Sequence, residues 1–411
     1  MSALTGWSSE RTRHRDTRLA PADAARETGI ETQHPVMPDV AMSRIAREWT
    51  RIGCLGFGGP PTHIAMLRAL CVERERWLEP QVFEDALAAC NLLPGPASTQ
   101  LAIYCAWRLR RARGALLGGL CFILPGLVVV IALSALFLAS GAPLWVRAAG
   151  AGAGAAVPAV AFNAGATLVP DSWRRGRAHR LLWCTAFTAG VAGALLLGPE
   201  LVFVLLAAGF VGVLVTRGVG GGRLAAIGPG MAGKSFLGPV AWTALKVGTL
   251  AFGGGFVIVP LMRSDAVGPH HWMTSGQFLD AVALGQITPG PVVQTVAAVG
   301  YAASGVGGAL LAASIAFAPS FVIVLGFAGR FDRIKRNPNV QGFLGGAGPA
   351  AIGAIVGVAA LLASELRHGW QVGLLVLALA ALLIARRGVV PVLIAAGLVG
   401  GMLGLAGAAV G

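Results

Sequence analysis

Two Pro-Gly-Pro sequences inside apolar runs are the part of this chain best suited to bind a ligand. We name them the first break, residues 94–96, and the second break, residues 289–291. Because proline donates no backbone hydrogen bond and its ring clashes with the preceding turn, each sequence is expected to interrupt its helix. A helix that restarts after a break presents unpaired N–H groups and the positive end of its dipole. The two breaks therefore predict a site for an anion, with an oxyanion as the favoured ligand.

Glycines and cations recur at matching positions before both breaks. Residues 57–59 and 252–254 each read Phe-Gly-Gly, and glycine amides let an anion approach closely. Arg51 and Lys246 each stand six positions before that phenylalanine. The alternatives are that the glycines form kinks or packing contacts, and that the two cations reach to the membrane interface. The residues predicted to bind the anion are Arg51, Gly58, Gly59, His63, Asn91, Pro94, Gly95, Pro96, Gln100, Lys246, Gly253, Gly254, Gln286, Pro289, Gly290 and Pro291.

Two carboxylates also occupy matching positions. Asp85 and Asp280 stand six residues before the polar amides Asn91 and Gln286. Carboxylates in apolar segments are costly and commonly functional, so the two aspartates are candidates for proton coupling. The alternative is that each lies in the first turn of its segment and stabilises a helix N-terminus.

The breaks belong to an internal duplication of the chain. They lie 195 positions apart, and Trp77 and Trp272 share that spacing. After a one-residue offset, the match continues to Pro125 and Pro319. Each half of the chain is therefore one long repeat.

The composition indicates a membrane protein with many crossings. Apolar residues make up 55% of the 411-residue chain, charged residues 12%, and the mean hydropathy is +0.72. The net charge of +14 does not predict nucleic-acid binding, because the arginines form short clusters between apolar runs. The six cysteines show no metal-ligand spacing, so we interpret them as small apolar residues rather than as a metal site.

The charged loops indicate how the two halves are related. Residues 108–113 hold four arginines after the first break, whereas the equivalent residues 303–307 hold none. The next loop reverses the pattern, since residues 140–143 are uncharged and residues 330–336 are basic. Because basic loops stay in the cytosol, this pattern predicts inverted-topology repeats, with parallel halves as the alternative. Inversion requires an odd number of membrane crossings before the second half begins, and the first half contains six apolar runs. Either an extra crossing near residues 218–246 or one re-entrant run that does not cross is therefore expected.

These patterns predict an all-α polytopic membrane protein made of two homologous halves, as inverted-topology repeats with broken helices at the Pro-Gly-Pro motifs. Residues 1–42 are predicted to be a disordered cytosolic tail and residues 43–217 the first transport repeat. A linker, 218–239, and a second transport repeat, 240–411, complete the chain. A transporter with its site near the midplane is the favoured function.

A membrane enzyme and a channel are the two alternative classes of protein. A membrane enzyme would need clustered His, Asp or Glu, and of seven histidines only His63 lies near a segment interior. A channel also uses symmetric broken helices, but the number of crossings in one chain favours alternating access.

The breaks and their surroundings resemble the chromate ion transporter family in its long, two-repeat form, over roughly residues 43–410. The residues that carry the likeness include Phe57, Gly58, Gly59, Pro60, His63, Trp77, Thr99, Gln100, Gly114, Phe122, Pro125, Phe252, Trp272, Gln277, Phe278, Asp280, Gln286, Gly300, Tyr301, Pro319 and Ser320, with both breaks. Two features depart from the family: Asn91, where glutamine is common, and the strongly basic loop at Arg108.

This resemblance implies a transporter that exports chromate through the bacterial inner membrane and confers chromate resistance, without cofactor. A sulfate-like oxyanion is the alternative cargo. The implied partners are the oxyanion and the lipid bilayer, not nucleic acid. A homodimer is left open.

Overall fold

The computed structural model describes residues 40–138, 142–217, 238–251, 256–331 and 337–409. Within these ranges the secondary structure is helical, without strands. The helices of the first half are α1 (Met42–Leu55), α2 (Pro60–Arg68), α3 (Pro80–Cys90), α4 (Ala97–Phe137), α5 (Leu144–Arg175), α6 (Arg180–Leu196) and α7 (Leu201–Thr216). Those of the second half are α8 (Pro239–Leu250), α9 (Ile258–Ala266), α10 (Ser275–Ile287), α11 (Thr295–Phe327), α12 (Pro338–Ser364), α13 (Gly369–Leu379) and α14 (Val389–Leu405).

Helix α4 is two antiparallel arms rather than one rod. Arg110 and Arg111 have non-helical backbone angles, and the chain reverses there. The arms, residues 97–109 and 112–137, then pack so closely that a methyl group at Gly114 would overlap the carbonyl oxygen of Ala106. Helix α11 reverses in the same way at Ser304 and Gly305.

The first break lies at the tip of a re-entrant hairpin made by α3 and the first arm of α4. Arg110, at the end of that arm, donates from Nε to the carbonyl oxygen of Val40 at 2.6 Å, beside the start of α1. Trp77, just before α3, stacks on Trp49 of α1 at 6.4 Å between ring centroids. Both ends of the hairpin therefore lie at one face, with its break between the two faces.

Helices α1 and α2 form a second re-entrant hairpin from the same face. Arg44 near the start of α1 binds Glu75 after α2, at 2.6 Å. The 14 residues of α1 rise only about 21 Å, less than the hydrocarbon thickness of about 30 Å. The hairpin turns at residues 57–59.

The second half repeats this layout from the opposite face. Arg217 at the end of α7 donates to Asn339 at the start of α12 at 2.8 Å, whereas Arg263 of α9 pairs with Glu365 at the other end of α12. Tyr104, near the Arg110 turn, stacks on Phe331 after α11 at 5.2 Å. We name the face of Arg110 and Arg217 the basic face, and the face of Arg263 and Glu365 the opposite face. The two halves are inverted repeats, as the loop charges predicted.

One long helix of each half packs against the last helices of the other half. Helix α5 of the first half packs on α13 and α14 of the second, and α12 of the second packs on α6 and α7 of the first. The contacts are equivalent, since Gly152 of α5 fits against Gly400 of α14 as Gly346 of α12 fits against Gly212 of α7. Glycine lets the helix backbones approach closely in lipid.

The expected all-α membrane fold with two homologous halves is confirmed. Four helical stretches among the described residues, Ala97–Phe137, Leu144–Leu196, Val292–Arg330 and Pro338–Ser364, are long and apolar enough to cross a membrane. Of the two alternatives left open, the structure shows re-entrant runs: the run before each long helix turns back at its break and reaches its starting face at Arg110 or Ser304, where the chain reverses again. Residues 1–39 of the predicted tail lie outside the described residues, as do residues 218–237 of the linker, whereas Val40 is buried and Met42 already begins α1. The extra crossing near residues 218–246 stays a prediction, although Arg217 and Thr243 lie at opposite faces.

Candidate functional site

The tips of hairpins from opposite faces meet between the two halves. The backbone N–H of Gly290, in the second break, donates to the carbonyl oxygen of Gly56 at 3.1 Å. Gly56 ends α1, just before the Phe-Gly-Gly turn. This hydrogen bond joins the break of one repeat directly to the hairpin tip of the other.

His63 supports the same contact. Its ring nitrogen Nε2 lies 2.8 Å from the Gly56 carbonyl oxygen, and since a carbonyl only accepts, Nε2 must carry the hydrogen. The ring also packs edge-on to Phe122 at 5.0 Å. The fully buried His63 therefore orients the hairpin tip.

Each break packs against the long helix of the other repeat. A methyl group at Gly95 would lie 3.2 Å from Oγ of Ser320, on the second arm of α11. A methyl group at Gly126, on the second arm of α4, would overlap the carbonyl oxygen of Pro289. Gly126 and Ser320 are equivalent positions, because each follows the proline shared by the two repeats. Gly95 and Gly290 have φ of 111° and 97°, which favour glycine.

Amide side chains brace both breaks. Gln100 donates from Nε2 to the carbonyl oxygen of Pro94 at 2.5 Å. Gln294 donates from Nε2 to the carbonyl oxygen of Ile123 at 2.7 Å, across the repeat boundary. Pro96 and Pro291 stand directly before the helical turns that follow the breaks.

Buried polar atoms without a hydrogen-bond partner cluster around the breaks. Among the described residues, those near the breaks are His63 Nδ1, Thr99 Oγ1, Gln100 Oε1, Gln286 Nε2, Thr288 Oγ1, Gln294 Oε1 and Ser320 Oγ, while four others lie elsewhere, on Arg108, Ser134, Arg263 and His368. Each unsatisfied group costs about 1–3 kcal/mol, so such a cluster is suited to a bound ligand or water. The hydroxyls of Thr99, Thr288 and Ser320 and Nε2 of Gln286 can donate to the oxygens of an oxyanion, whereas Oε1 of Gln100 and of Gln294 only accept and suit a water molecule.

The two breaks differ in accessibility. Asn91 before the first break and Pro94 within it are exposed, whereas Gln286 and Pro289 at the matching positions of the second break are buried. The N–H of Gly290 is already bonded to Gly56. In this conformation the first break is the more open of the two.

The two predicted cations lie in unlike surroundings. Lys246 is buried, with Nζ 2.5 Å from Oδ2 of Asp265, and Thr243 donates to the same carboxylate at 2.6 Å. The charge of Lys246 is therefore balanced in this conformation. Arg51 is exposed on α1.

The glycines of the first hairpin tip adopt left-handed backbone angles, with φ of 96° at Gly58 and 77° at Gly59. Gly58 is exposed and Gly59 is buried. Their counterparts Gly253 and Gly254 lie outside the described residues.

Neither predicted carboxylate stabilises a helix N-terminus. Asp85 and Asp280 are the sixth residues of α3 and α10, beyond the first turn. Thr274 caps α10 instead, since its side chain accepts from the N–H of Gln277. The capping interpretation is wrong for both aspartates, because the helices begin earlier than the apolar pattern indicated.

The two aspartates also differ from each other. Gln81, one turn earlier on α3, donates from Nε2 to Oδ2 of Asp85 at 3.2 Å. Asp280 instead points at α5, where a methyl group at Gly150 would lie 3.0 Å from its carboxylate. It lines a cavity of about 420 Å³ between α5, α10 and α14, with otherwise apolar walls.

Sequence reasoning missed Ser320, Gln294 and Asp265. Ser320 and Gln294 gave no repeat signal, because their counterparts Gly126 and Thr99 differ in type. Asp265 likewise matches Leu70 in the first half. Within the described ranges, no group of three His, Cys, Asp or Glu side chains could hold a metal ion.

The chain matches a family model described as chromate transporter over residues 43–213 and 239–405. It is 32% identical over 363 residues to a chromate transport protein of Cupriavidus metallidurans, covering 84% of this chain and 89% of the relative. It is 30% identical to a probable chromate transport protein of Synechococcus elongatus, covering 81% and 87% of the two chains. A chromate transport protein of Pseudomonas aeruginosa is also 30% identical, over 79% and 82%. No solved structure matches the chain significantly.

Proposed function

Since the chain belongs to the chromate transporter family, we propose that it exports chromate from the cytoplasm by alternating access. The observation that carries this proposal is the meeting of Gly56 and Gly290, tips of hairpins that enter from opposite faces. A site enclosed by two such tips can open to either face when one hairpin moves away. Broken backbone at this depth is tolerated where it lines a cavity or is buried by protein.

The proposed site binds the anion through backbone N–H groups and uncharged side chains. The first turn of α4 offers free N–H groups after the first break, and the helix dipole adds a favourable potential. Thr99 and Ser320 contribute hydroxyl donors that lack partners among the described residues, and Gln100 holds the first break in place through Nε2. A tetrahedral oxyanion has four oxygens to accept such donors.

The cations enter the proposal in two roles. Lys246 is held by Asp265 in this conformation, and we infer that the anion competes for it when α8 and α9 separate. Arg51 supplies positive potential from its exposed position on α1. The glycines of both Phe-Gly-Gly sequences, together with Asn91 and Gln286, complete the proposed site.

The proposed direction follows from charge. With the basic face in the cytosol and the chain in the bacterial inner membrane, a dianion leaves a negative interior. Moving two charges through about 100 mV releases roughly 4.6 kcal/mol, enough for a gradient of about a thousandfold. Export would therefore need no co-transported ion, and it would confer resistance to chromate.

The test is uptake into inverted vesicles with chromate, sulfate and molybdate compared at one pH and one potential. Saturable chromate uptake with counterflow is expected. Preference for sulfate would replace chromate as the cargo, and a current without saturation or counterflow would favour a channel.

A further inference from the structure

Asp280 lines a cavity in which no described residue offers its carboxyl group a partner. In the described part of the chain, the cavity walls from α5 and α14 and from α10 itself contain no other charged or titratable side chain. No hydrogen bond or ion pair of its carboxylate is formed with a described residue, and the ends of α4 and α5 contribute only Phe137 and Trp145. An ionised carboxylate facing such walls lacks compensation for the hydration that it loses.

The contact between Asp280 and α5 is nevertheless close and specific. Gly150 and Gly154 leave a notch on α5, because a methyl group at either position would lie 3.0 Å or 3.3 Å from the carboxylate. The equivalent of Gly150 in the other half is Leu344, and a methyl group at Gly348, the equivalent of Gly154, would touch nothing. The notch is therefore built for Asp280 and has no counterpart for Asp85.

We propose that Asp280 is a proton-binding site that couples proton entry to anion export, and that its equivalent Asp85 is not. The proposal rests on the transport function, since it adds a coupled ion to that cycle. The neutral carboxylic acid fits the notch and lets α10 rest on α5. Loss of the proton leaves a charge that the cavity does not accommodate, and α10 moves away from α5.

Helix α10 links this event to the anion site. It ends at Ile287, directly before the second break, whose Gly290 is bonded to Gly56. Asp280 lies five residues from the start of the helix, about 8 Å from the opposite face. A proton can thus enter from that face, and the movement it permits changes the contact between the hairpin tips.

Labelling with dicyclohexylcarbodiimide tests the site without relying on transport. This apolar reagent reacts with protonated carboxyl groups in apolar surroundings, and it can enter the cavity from the lipid. We expect mass spectrometry of the wild-type protein to find the adduct at Asp280 and not at Asp85, with less adduct as the pH rises from 6 to 9. Labelling of Asp85 to an equal extent, or no labelling of Asp280, would overturn the proposal.

Transport by two matched variants tests the coupling. We expect Asp280→Asn to flatten the pH dependence of chromate efflux between pH 6 and pH 8 while keeping chromate exchange, because exchange needs no net proton movement. Asp85→Asn should keep the wild-type pH profile, and Asp280→Glu should restore a pH dependence. A wild-type profile in Asp280→Asn would refute proton coupling. Absence of chromate movement in the wild type would refute the transport function and leave the labelling result standing.

Discussion

Gly290 donates its backbone N–H to the carbonyl oxygen of Gly56 at 3.1 Å, which joins the second break to the α1–α2 hairpin tip. The residues belong to different repeats whose hairpins enter from opposite faces. This backbone hydrogen bond joins the two hairpin tips, and alternating access as proposed requires it to break when one hairpin moves away from the other.

Substitution of Gly290 is expected to stop transport. In Gly290→Ala, the backbone at φ 97° becomes strained by about 1–3 kcal/mol, and the methyl group presses on the Gln294 side chain at 3.1 Å. We expect chromate efflux to fall at least about tenfold. The matched control is Gly305→Ala, which also has positive φ but touches nothing, and equal losses in both variants would assign the effect to strain alone.

Two variants of the buried ion pair of Lys246 and Asp265 separate its role in stability from its role in transport. Lys246→Met leaves the Asp265 carboxylate unpaired and should lower stability by about 3–5 kcal/mol. The double variant with Asp265→Asn should recover most of that loss in thermal unfolding. We expect chromate transport to stay low in the double variant, because the positive charge of Lys246 that would bind the anion has been removed.

Surface arginines provide the control for this pair. Arg330 and Arg386 are exposed, and we expect Arg330→Gln and Arg386→Gln to change transport less than about twofold. If these variants lose as much transport as Lys246→Met, Lys246 has no special role in anion binding.

The hydroxyl of Ser320 is expected to bind the anion at the first break. Ser320→Ala removes a buried donor without a protein partner and should raise the KM for chromate about tenfold, since a hydrogen bond to a charged group contributes about 1.5–3 kcal/mol. Ser134→Ala is the matched control, because its hydroxyl is equally buried and unpartnered among the described residues but lies far along α4. Equal KM values for the two variants would remove Ser320 from the site.

Much of the fold could be predicted because the two repeats carry the same pattern. The breaks, the inverted halves and the approximate ends of the long helices followed from Pro-Gly-Pro, from arginine clusters and from apolar runs. The hairpins could not be predicted with certainty of direction, because an apolar run interrupted by glycine has the same sequence pattern whether the chain crosses the membrane or turns back to its starting face. The reversals depend on backbone angles at Arg110 and Arg111 and at Ser304 and Gly305, and of the two pairs only Ser-Gly is typical of turns.

The duplication predicted most of the candidate site, and among the predicted residues only His63 and Gln100 lack a matching residue type in the other half, where Ile258 and Thr295 stand. Gly95, Gly290 and the polar amides stand at repeated positions, so the duplication pointed to them. Ser320 and Asp265 have apolar or glycine counterparts, and their roles come from contacts with residues far away in the chain. The notch for Asp280 likewise depends on the packing of α10 against α5, which no local pattern encodes.

The inverted arrangement predicts opposite labelling of the two helix reversals. Arg113 and Ser304 are both exposed beside the turns of α4 and α11. In a variant with exposed Cys54 and Cys184 replaced by serine, an impermeant maleimide added to intact cells should label Ser304→Cys and not Arg113→Cys. In inverted vesicles the result should reverse. Labelling of both positions from one side would contradict the inversion.

The final prediction concerns the energy for export. If a dianion moves alone, collapsing a potential of about 100 mV removes roughly 4.6 kcal/mol of driving force, so efflux should slow strongly even when the pH gradient is preserved. If proton entry at Asp280 is coupled to export, collapsing the pH gradient alone should also slow the wild type but not Asp280→Asn. Efflux from loaded vesicles, with the potential and the pH gradient clamped separately, measures both effects. Efflux that responds to neither gradient would indicate electroneutral exchange of chromate for another anion.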